Sequence, residues 1–277
     1  MTAFMKKRIG NGVMFALKVV IGLIFISPLF IGVLFSLQSD SELGMYPLKL
    51  ITSSPTIENY IGVFQRVPIF TYLKNSAIVC VVAIVAQVVF ASLAAYGFVF
   101  FEFPFKKPLF TLILATMMVP GEVVIITNYN TAQQLHLIDT YAGLVMTSLI
   151  SGTAIFLMRQ YFMTIPKDYK DAATLDGCSD MGFLFRVVLP LSIPTISSLA
   201  IYLFVQIYNQ FFWPLLVTSA TEMRTVQIGI SFLINSDVLS YGRILAGAML
   251  AIIPSAFVYI LGQDYIIKGM TSGGIKG

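Results

Sequence analysis

Six times along the chain a nearly uncharged apolar stretch of about twenty residues or more recurs, at 13–37, 76–101, 108–129, 141–163, 190–219 and 244–267. About 20 apolar residues make a helix long enough to cross the hydrocarbon core of a bilayer. Of the whole sequence 57% is hydrophobic and only 11% charged, against about 45–50% and about 25% in soluble domains. One soluble core cannot bury that excess, so lipid must be the solvent. In lipid every backbone polar group has to be satisfied internally, which leaves helices for segments of this length. The expectation is an all-α membrane protein of six transmembrane helices forming a single domain over residues 1–277.

Two of these stretches carry flaws. Lys18 lies near the start of the first, where its amine can snorkel to the headgroups. The third is interrupted by "PGE" at 120–122. The first stretch exceeds the 7–15 residues of a signal-peptide core and no A-x-A site follows it, so it reads as retained. Cys80 lies in an apolar run and Cys178 in a charged loop, so both are expected to be free thiols.

Six spans place both termini on one side. If that side is cytoplasmic, the inner segments hold eleven basic residues: Lys6, Lys7, Arg8, Lys106, Lys107, Arg159, Lys167, Lys170, Arg186, Lys268 and Lys276. The outer segments hold five, Lys49, Arg66, Lys74, Arg224 and Arg243. That asymmetry obeys the positive-inside bias and accounts for the net charge of +4 without nucleic acid. The outer segment 38–75 is long and punctuated by proline. Two readings fit it: a small external element that meets an extracellular partner, or a lid over helix ends.

The stretch "DYKDAATLDGCSD" at 168–180 departs from its surroundings, with five charges in thirteen residues. Pro166 ends the preceding span or opens the next helix, and "KDYKDAATLD" is a run of good helix formers. Ala172 and Ala173 allow close approach of another surface. Gly177 supplies a turn, and Ser179 before Asp180 predicts an N-cap with a negative first turn. "MGFLFRVVLPL" is a second amphipathic stretch, stopped by Pro190. The predicted unit is helix, glycine turn, helix, on the cytoplasmic membrane face. Taken alone, it suits an interfacial pair that caps the bundle as well as a docking element.

The pattern Asp171-Ala172-Ala173, Asp176-Gly177, Leu189-Pro190 resembles the "EAA" loop of ABC importer permeases, with Asp171 in place of the usual Glu and Cys178 in place of a small Ala or Ser. Further stretches are similar to carbohydrate-importer permeases: "ENY" at 58–60, "NS" at 75–76, "LAAYGF" at 93–98, "FPFKK" at 103–107, "MMVP" at 117–120, "LIDTYAGL" at 137–144, "FLMRQYF" at 156–162, "YNQFFWPL" at 208–215 and "GMTSGGIKG" at 269–277. The likeness covers nearly the whole chain, and is nearest to the shorter permease of the maltose importer and its glycerol-3-phosphate relatives. It implies the type I importer permease fold with cytoplasmic termini, in the bacterial cytoplasmic membrane. It also implies a carbohydrate or polyol-phosphate solute, a second permease subunit, two ATP-binding subunits and an extracellular solute-binding protein. Asp171, Ala172, Ala173, Asp176, Gly177, Cys178, Ser179, Leu189 and Pro190 would form the surface that docks on the ATPase. The glycine-rich tail, with Gly273, Gly274 and Lys276, would reach between the ATPase subunits; its composition alone suits a frayed terminus equally.

No G-x-x-x-x-G-K-[ST] loop occurs, so ATP and its magnesium belong to a partner and no cofactor is expected in this chain. The single His136 excludes a multi-histidine metal site, and no G-x-S-x-G elbow is present. Enzyme readings are therefore poor. A stand-alone secondary transporter or channel of six helices is the rival, and it leaves the charged loop unexplained. An importer permease for a non-sugar nutrient is another.

Polar residues inside spans mark pathways or helix contacts. On the fifth span Gln206, Asn209, Gln210 and Trp213 fall at i, i+3, i+4 and i+7, one helical face. Amides and an indole suit a sugar, since amides both donate to and accept from hydroxyls; amide glue between helices is the alternative. Glu122 either lines the pathway, bonds freed backbone amides, or pairs with a basic residue of a partner. Gln87 and Asn128 are weaker candidates, better suited to interhelical bonds.

Overall fold

The structure, a computed structural model, describes residues 2–52, 54–234 and 240–272. The described residues form helices joined by loops and turns, with no strand among them. In chain order the α-helices are α1 (Thr2–Ser36), α2 (Asp40–Leu43), α3 (Glu58–Arg66), α4 (Ile69–Phe100), α5 (Lys106–Thr116), α6 (Ile125–Gln134), α7 (Tyr141–Val145) and α8 (Gly152–Phe162). There follow α9 (Asp168–Leu175), α10 (Asp180–Phe183), α11 (Leu189–Leu191), α12 (Ile193–Tyr208), α13 (Phe212–Val217), α14 (Val226–Ile234) and α15 (Tyr241–Ser272).

Three helices are long and apolar enough to cross a membrane: Gly12–Ser36 within α1, Ile69–Phe100, and Tyr241–Tyr265 within α15. Their outward faces are apolar too; Phe25 is 79% exposed, which only lipid or an apolar partner makes tolerable. Two bent helix pairs are apolar and long enough only when each is taken together, Tyr141–Ser148 with Gly152–Phe162 at 52°, and Asp180–Leu191 with Ile193–Tyr208 at 74°. The stretch 108–129 is not one continuous helix. It divides into α5 and α6 around a 3-10 turn, Gly121–Val123, because Pro120 pushes the residue before it out of helical conformation. Neither half, at 11 and 10 residues, reaches span length by itself.

The fifth stretch also differs from a continuous helix over 190–219. Leu189 and Pro190 lie inside a helical segment rather than at its end: Asp180–Leu191 runs through a π-helical turn at Leu184–Val188. There the Leu189 amide reaches back to the Leu184 carbonyl, and such a widened turn accommodates a proline that would otherwise collide with the preceding turn. The bend follows at Ser192. At the other end α12 stops at Tyr208 with Asn209 as its cap, and Pro214 sits in the separate helix α13. A helix carried through 209–213 would set the Pro214 ring against the carbonyl of Gln210.

The chain forms two compact units, one of residues 1–69 and 230–252, the other of 70–229 and 253–277. In the first, buried Asn59 ties α3 to the end of α1, its Nδ2 donating to the carbonyls of Ser36 (2.9 Å) and Gln38 (2.7 Å). Helix α3 is thus anchored to the end of α1. In the second, α4 meets α14 so closely that a Cβ on Gly229 would overlap the ring of the buried Tyr72. Phe162, Leu144, Met158 and Phe183 fill the same core.

Candidate functional site

The charged loop folds as helix, glycine turn, helix, as predicted. α9 is followed by Asp176 as its cap and by Gly177 at φ +74°, the left-handed region that glycine enters without cost. The Ser179 hydroxyl accepts from the Gly182 amide at 3.1 Å, an N-cap with Asp180 in the first turn of α10. The favourable charge at that end follows from the helix dipole.

None of the residues of α9 is buried. Leu175 is 89% exposed and Tyr169 51%, and Asp171, Ala172 and Asp176 are exposed beside them. Ala173 and Cys178 are half-buried. Yet the base of this exposed helix is firmly held. The Lys170 ammonium pairs with Asp180 Oδ1 at 3.2 Å, donates to the Phe100 carbonyl at 3.2 Å, and lies 4.5 Å from the centre of the Phe101 ring. The Tyr96 hydroxyl donates to the Asp180 carbonyl at 2.8 Å, and buried Phe183 packs edge-on against Phe100 with ring centres 5.4 Å apart. The loop is therefore an apolar-tipped knob bolted to the end of α4. Leu189 is half-buried and Pro190 exposed, in the helical segment that follows.

The four residues assigned to one face of the fifth span do not share one. Gln206 stays exposed on α12. Asn209, also exposed, donates to the Val205 carbonyl at 2.9 Å and accepts from Gln227 Nε2 at 3.1 Å. Trp213 lies beyond the break, 6% exposed, with Nε1 donating to the Gly143 carbonyl at 3.0 Å. Its indole closes α13 on α7 and has no free face to offer a sugar. Gln210 turns toward Ser148, donating to its Oγ at 3.0 Å. Pro214 was the signal in the sequence that this helix had to break.

Ser148 is a residue the sequence reading missed. It ends the first half of the 52° bent pair, where chain carbonyls lose their helical donors. Gln87 from α4 supplies one, its Nε2 donating to the Ser148 carbonyl at 2.7 Å, which makes Gln87 the interhelical bond expected of it. Asp139, in "LIDTYAGL", was likewise missed; its Oδ1 accepts from the amides of Ser219 (2.7 Å) and Ala220 (2.8 Å). Glu122 is exposed within the 3-10 turn that divides α5 from α6. Asn128 is half-buried on α6. Gly273, Gly274 and Lys276 lie outside the described residues. Among the described residues no group of three His, Cys, Asp or Glu side chains could hold a metal ion.

Residues 87–272 match the family described as "Binding-protein-dependent transport system inner membrane component". The chain is 34% identical over 260 residues to the arabinooligosaccharides transport system permease protein AraQ of Bacillus subtilis (strain 168), covering 93% of this chain and 92% of the relative. It is 34% identical over 264 residues to the sn-glycerol-3-phosphate transport system permease protein UgpE of Agrobacterium fabrum, covering 92% and 94%. Among solved structures, it superposes on a chain of a bacterial ABC transporter involved in the import of the acidic polysaccharide alginate. The TM-score is 0.81 at 22% identity, over 94% of this chain and 97% of the other. That likeness shows the fold.

Proposed function

This chain belongs to the family of binding-protein-dependent transport system inner membrane components, and from that premise we propose how it works and what it carries. It is an ABC importer permease, a transport component rather than an enzyme. The solute is a carbohydrate or a polyol phosphate, delivered by an external binding protein. Two relatives named for arabinooligosaccharides and sn-glycerol-3-phosphate support that class. The chain acts as one membrane domain of six spans, the pair α5–α6 forming a broken sixth. Both termini and residues 166–190 face the cytosol, by the excess of Lys and Arg on that side. A homologous permease and two ATP-binding subunits, which hold the ATP and magnesium, complete the machine.

The observation that carries the coupling role is the combination found in α9: a helix that buries none of its residues, tipped by Leu175 at 89% exposure, and bolted to α4 through Lys170, Asp180 and Tyr96. A mere cap over the bundle would turn its leucine inward. An exposed leucine on a rigid base suits an apolar groove on a second protein. Asp171, Ala172, Ala173, Asp176, Gly177, Cys178 and Ser179 make that docking surface, while Leu189 and Pro190 carry its movement into α12. ATP binding closes the ATPase dimer and draws the knob with it; the permeases then open outward, accept solute, and are reset by hydrolysis. Along the path, Gln206, Asn209 and Glu122 are the polar groups left exposed to meet a solute or the paired permease. The tail with Gly273, Gly274 and Lys276 reaches between the ATPases.

The test is co-purification through a tag on this chain. Leu175→Asp and Ala173→Glu are expected to leave the chain in the membrane while stripping it of its ATPase partners. Stoichiometric ATPase with undiminished uptake in both variants would overturn the coupling role. The solute is read by titrating arabinooligosaccharides and glycerol 3-phosphate into the cognate binding protein; failure of both classes, with binding of an amino acid instead, would overturn the solute class alone.

A further inference from the structure

Behind the knob lies a cavity of about 500 Å³, between the end of α4, the linker after it, the last turns of α8 and the start of α9. Its charged lining is Glu102, Lys106, Arg159, Lys167, Lys170 and Asp171, four cations against two anions. Two of the cations are already engaged. Lys106 Nζ donates to the Phe101 carbonyl at 2.8 Å and pairs with Glu102 at 3.1 Å, and Lys170 is held by Asp180 and the Phe100 carbonyl. Arg159 and Lys167 form no ion pair among the described residues. The Arg159 Nε is buried without an acceptor, its guanidinium held 4.1 Å over the Phe110 ring. Arg159 is only half-buried, but its Nε is closed off from solvent without an acceptor, and a bound anion would supply one. Asp171, which also lines the cavity, is exposed and forms no ion pair among the described residues.

The position indicates which anion. α4 spans 32 residues and ends at Phe100, so the rim of the cavity stands where a membrane-crossing helix meets the headgroups. The lining is aromatic and apolar beside its charges, with Phe98, Phe100 and Met163, as suits a ligand with an acyl portion. Basic pockets between span ends on the cytoplasmic side take anionic headgroups. We propose that this cavity binds a phosphate-bearing anion, the phosphodiester headgroup of an anionic phospholipid, with Arg159 as its central ligand and Lys167 at its mouth. Because α9 forms one wall, an occupied cavity braces the knob against α4, so the lipid tunes how stiffly the loop follows its partner. That leaflet is the cytoplasmic one on the functional reading given above, and the two stand or fall by separate readouts.

The importer is purified in its complex and placed in nanodiscs of phosphatidylcholine with or without phosphatidylglycerol, and retained lipid is counted by native mass spectrometry. Wild-type chain is expected to retain phosphatidylglycerol through delipidation. Arg159→Gln and Lys167→Gln should each weaken retention about five-fold, the factor one cation contributes beside an anionic leaflet. Lys49→Gln, an exposed lysine of the other unit, serves as control and should change nothing. Inorganic phosphate added to phosphatidylcholine discs distinguishes the sources: binding there that Arg159→Gln removes supports the same anion site filled from solution. Equal retention in wild type and Arg159→Gln would overturn the proposal, as would an equal loss in Lys49→Gln. So would loss of the ATPase from Arg159→Gln with lipid retention intact, since the cavity would then belong to the ATPase contact.

Discussion

Lys170 and Asp180 stand on opposite sides of the Gly177 turn and close it with an ion pair of 3.2 Å. The same ammonium donates to the carbonyl of Phe100 at the end of α4. One side chain thus joins both arms of the knob to a membrane-crossing helix. Lys170→Met is expected to cut ATP-driven uptake several-fold at unchanged chain level. Asp180→Asn should be milder, because Tyr96 holds the Asp180 carbonyl rather than its carboxylate, and an exposed ion pair by itself contributes only about 0–1 kcal/mol. Uptake by membrane vesicles normalised to chain content checks the order; Asp180→Asn more damaging than Lys170→Met would contradict it.

Gly177 is the turn on which this closure depends. At φ +74° with nothing within 4 Å of an added Cβ, the cost of a side chain is purely backbone strain, about 1–2 kcal/mol. Gly177→Asn is expected to keep most activity, since asparagine tolerates that region, and Gly177→Val to lose it with the loop opened to protease. Equal behaviour of the two in limited proteolysis would show that the backbone is not the constraint.

Trp213 is a structural residue in this fold. Trp213→Phe removes the hydrogen bond to the Gly143 carbonyl and leaves that carbonyl without its donor, costing about 1–3 kcal/mol. The expected outcome is a lower melting temperature and less chain in the membrane, with the KM for solute unchanged in what remains. A raised KM at normal stability would restore the sugar-stacking role.

Gln87 and Gln210 converge on Ser148 from α4 and from the break after α12. Gln87→Ala and Gln210→Ala should each destabilise by about 0.6–2 kcal/mol, the range of polar contacts between membrane helices. Sharing one residue, they are expected to couple by about 0.5 kcal/mol or more. Thermal unfolding of the two single variants and the double variant measures this, and strict additivity would mean that the Ser148 bend is not their common object.

The knob was legible because its signals are local: a glycine where the backbone must turn, a serine before an acidic first turn, and helix formers between. The Asp-Ala-Ala and Asp-Gly spacing carried the family as well. Glu122 fell in a real break for the same reason, since Pro120 acts on its own neighbour. The polar face of the fifth span failed because its periodicity assumed an unbroken helix, and Pro214 ended that assumption four residues upstream. Ser148 and Asp139 escaped notice because their role is to receive bonds from Gln87, Gln210, Ser219 and Ala220, partners 61 to 81 residues away.

The sequence by itself determined that lipid is the solvent, that helices are the only spanning element, and where the chain must turn, because hydropathy and backbone strain are properties of a few consecutive residues. Only the tertiary structure decided that Trp213 closes a helix contact, that two glutamines mend a bent span, and that Lys170 ties the knob to α4. Those are pairings of distant groups, and the energy that selects one partner over another exists only once the chain has brought both together.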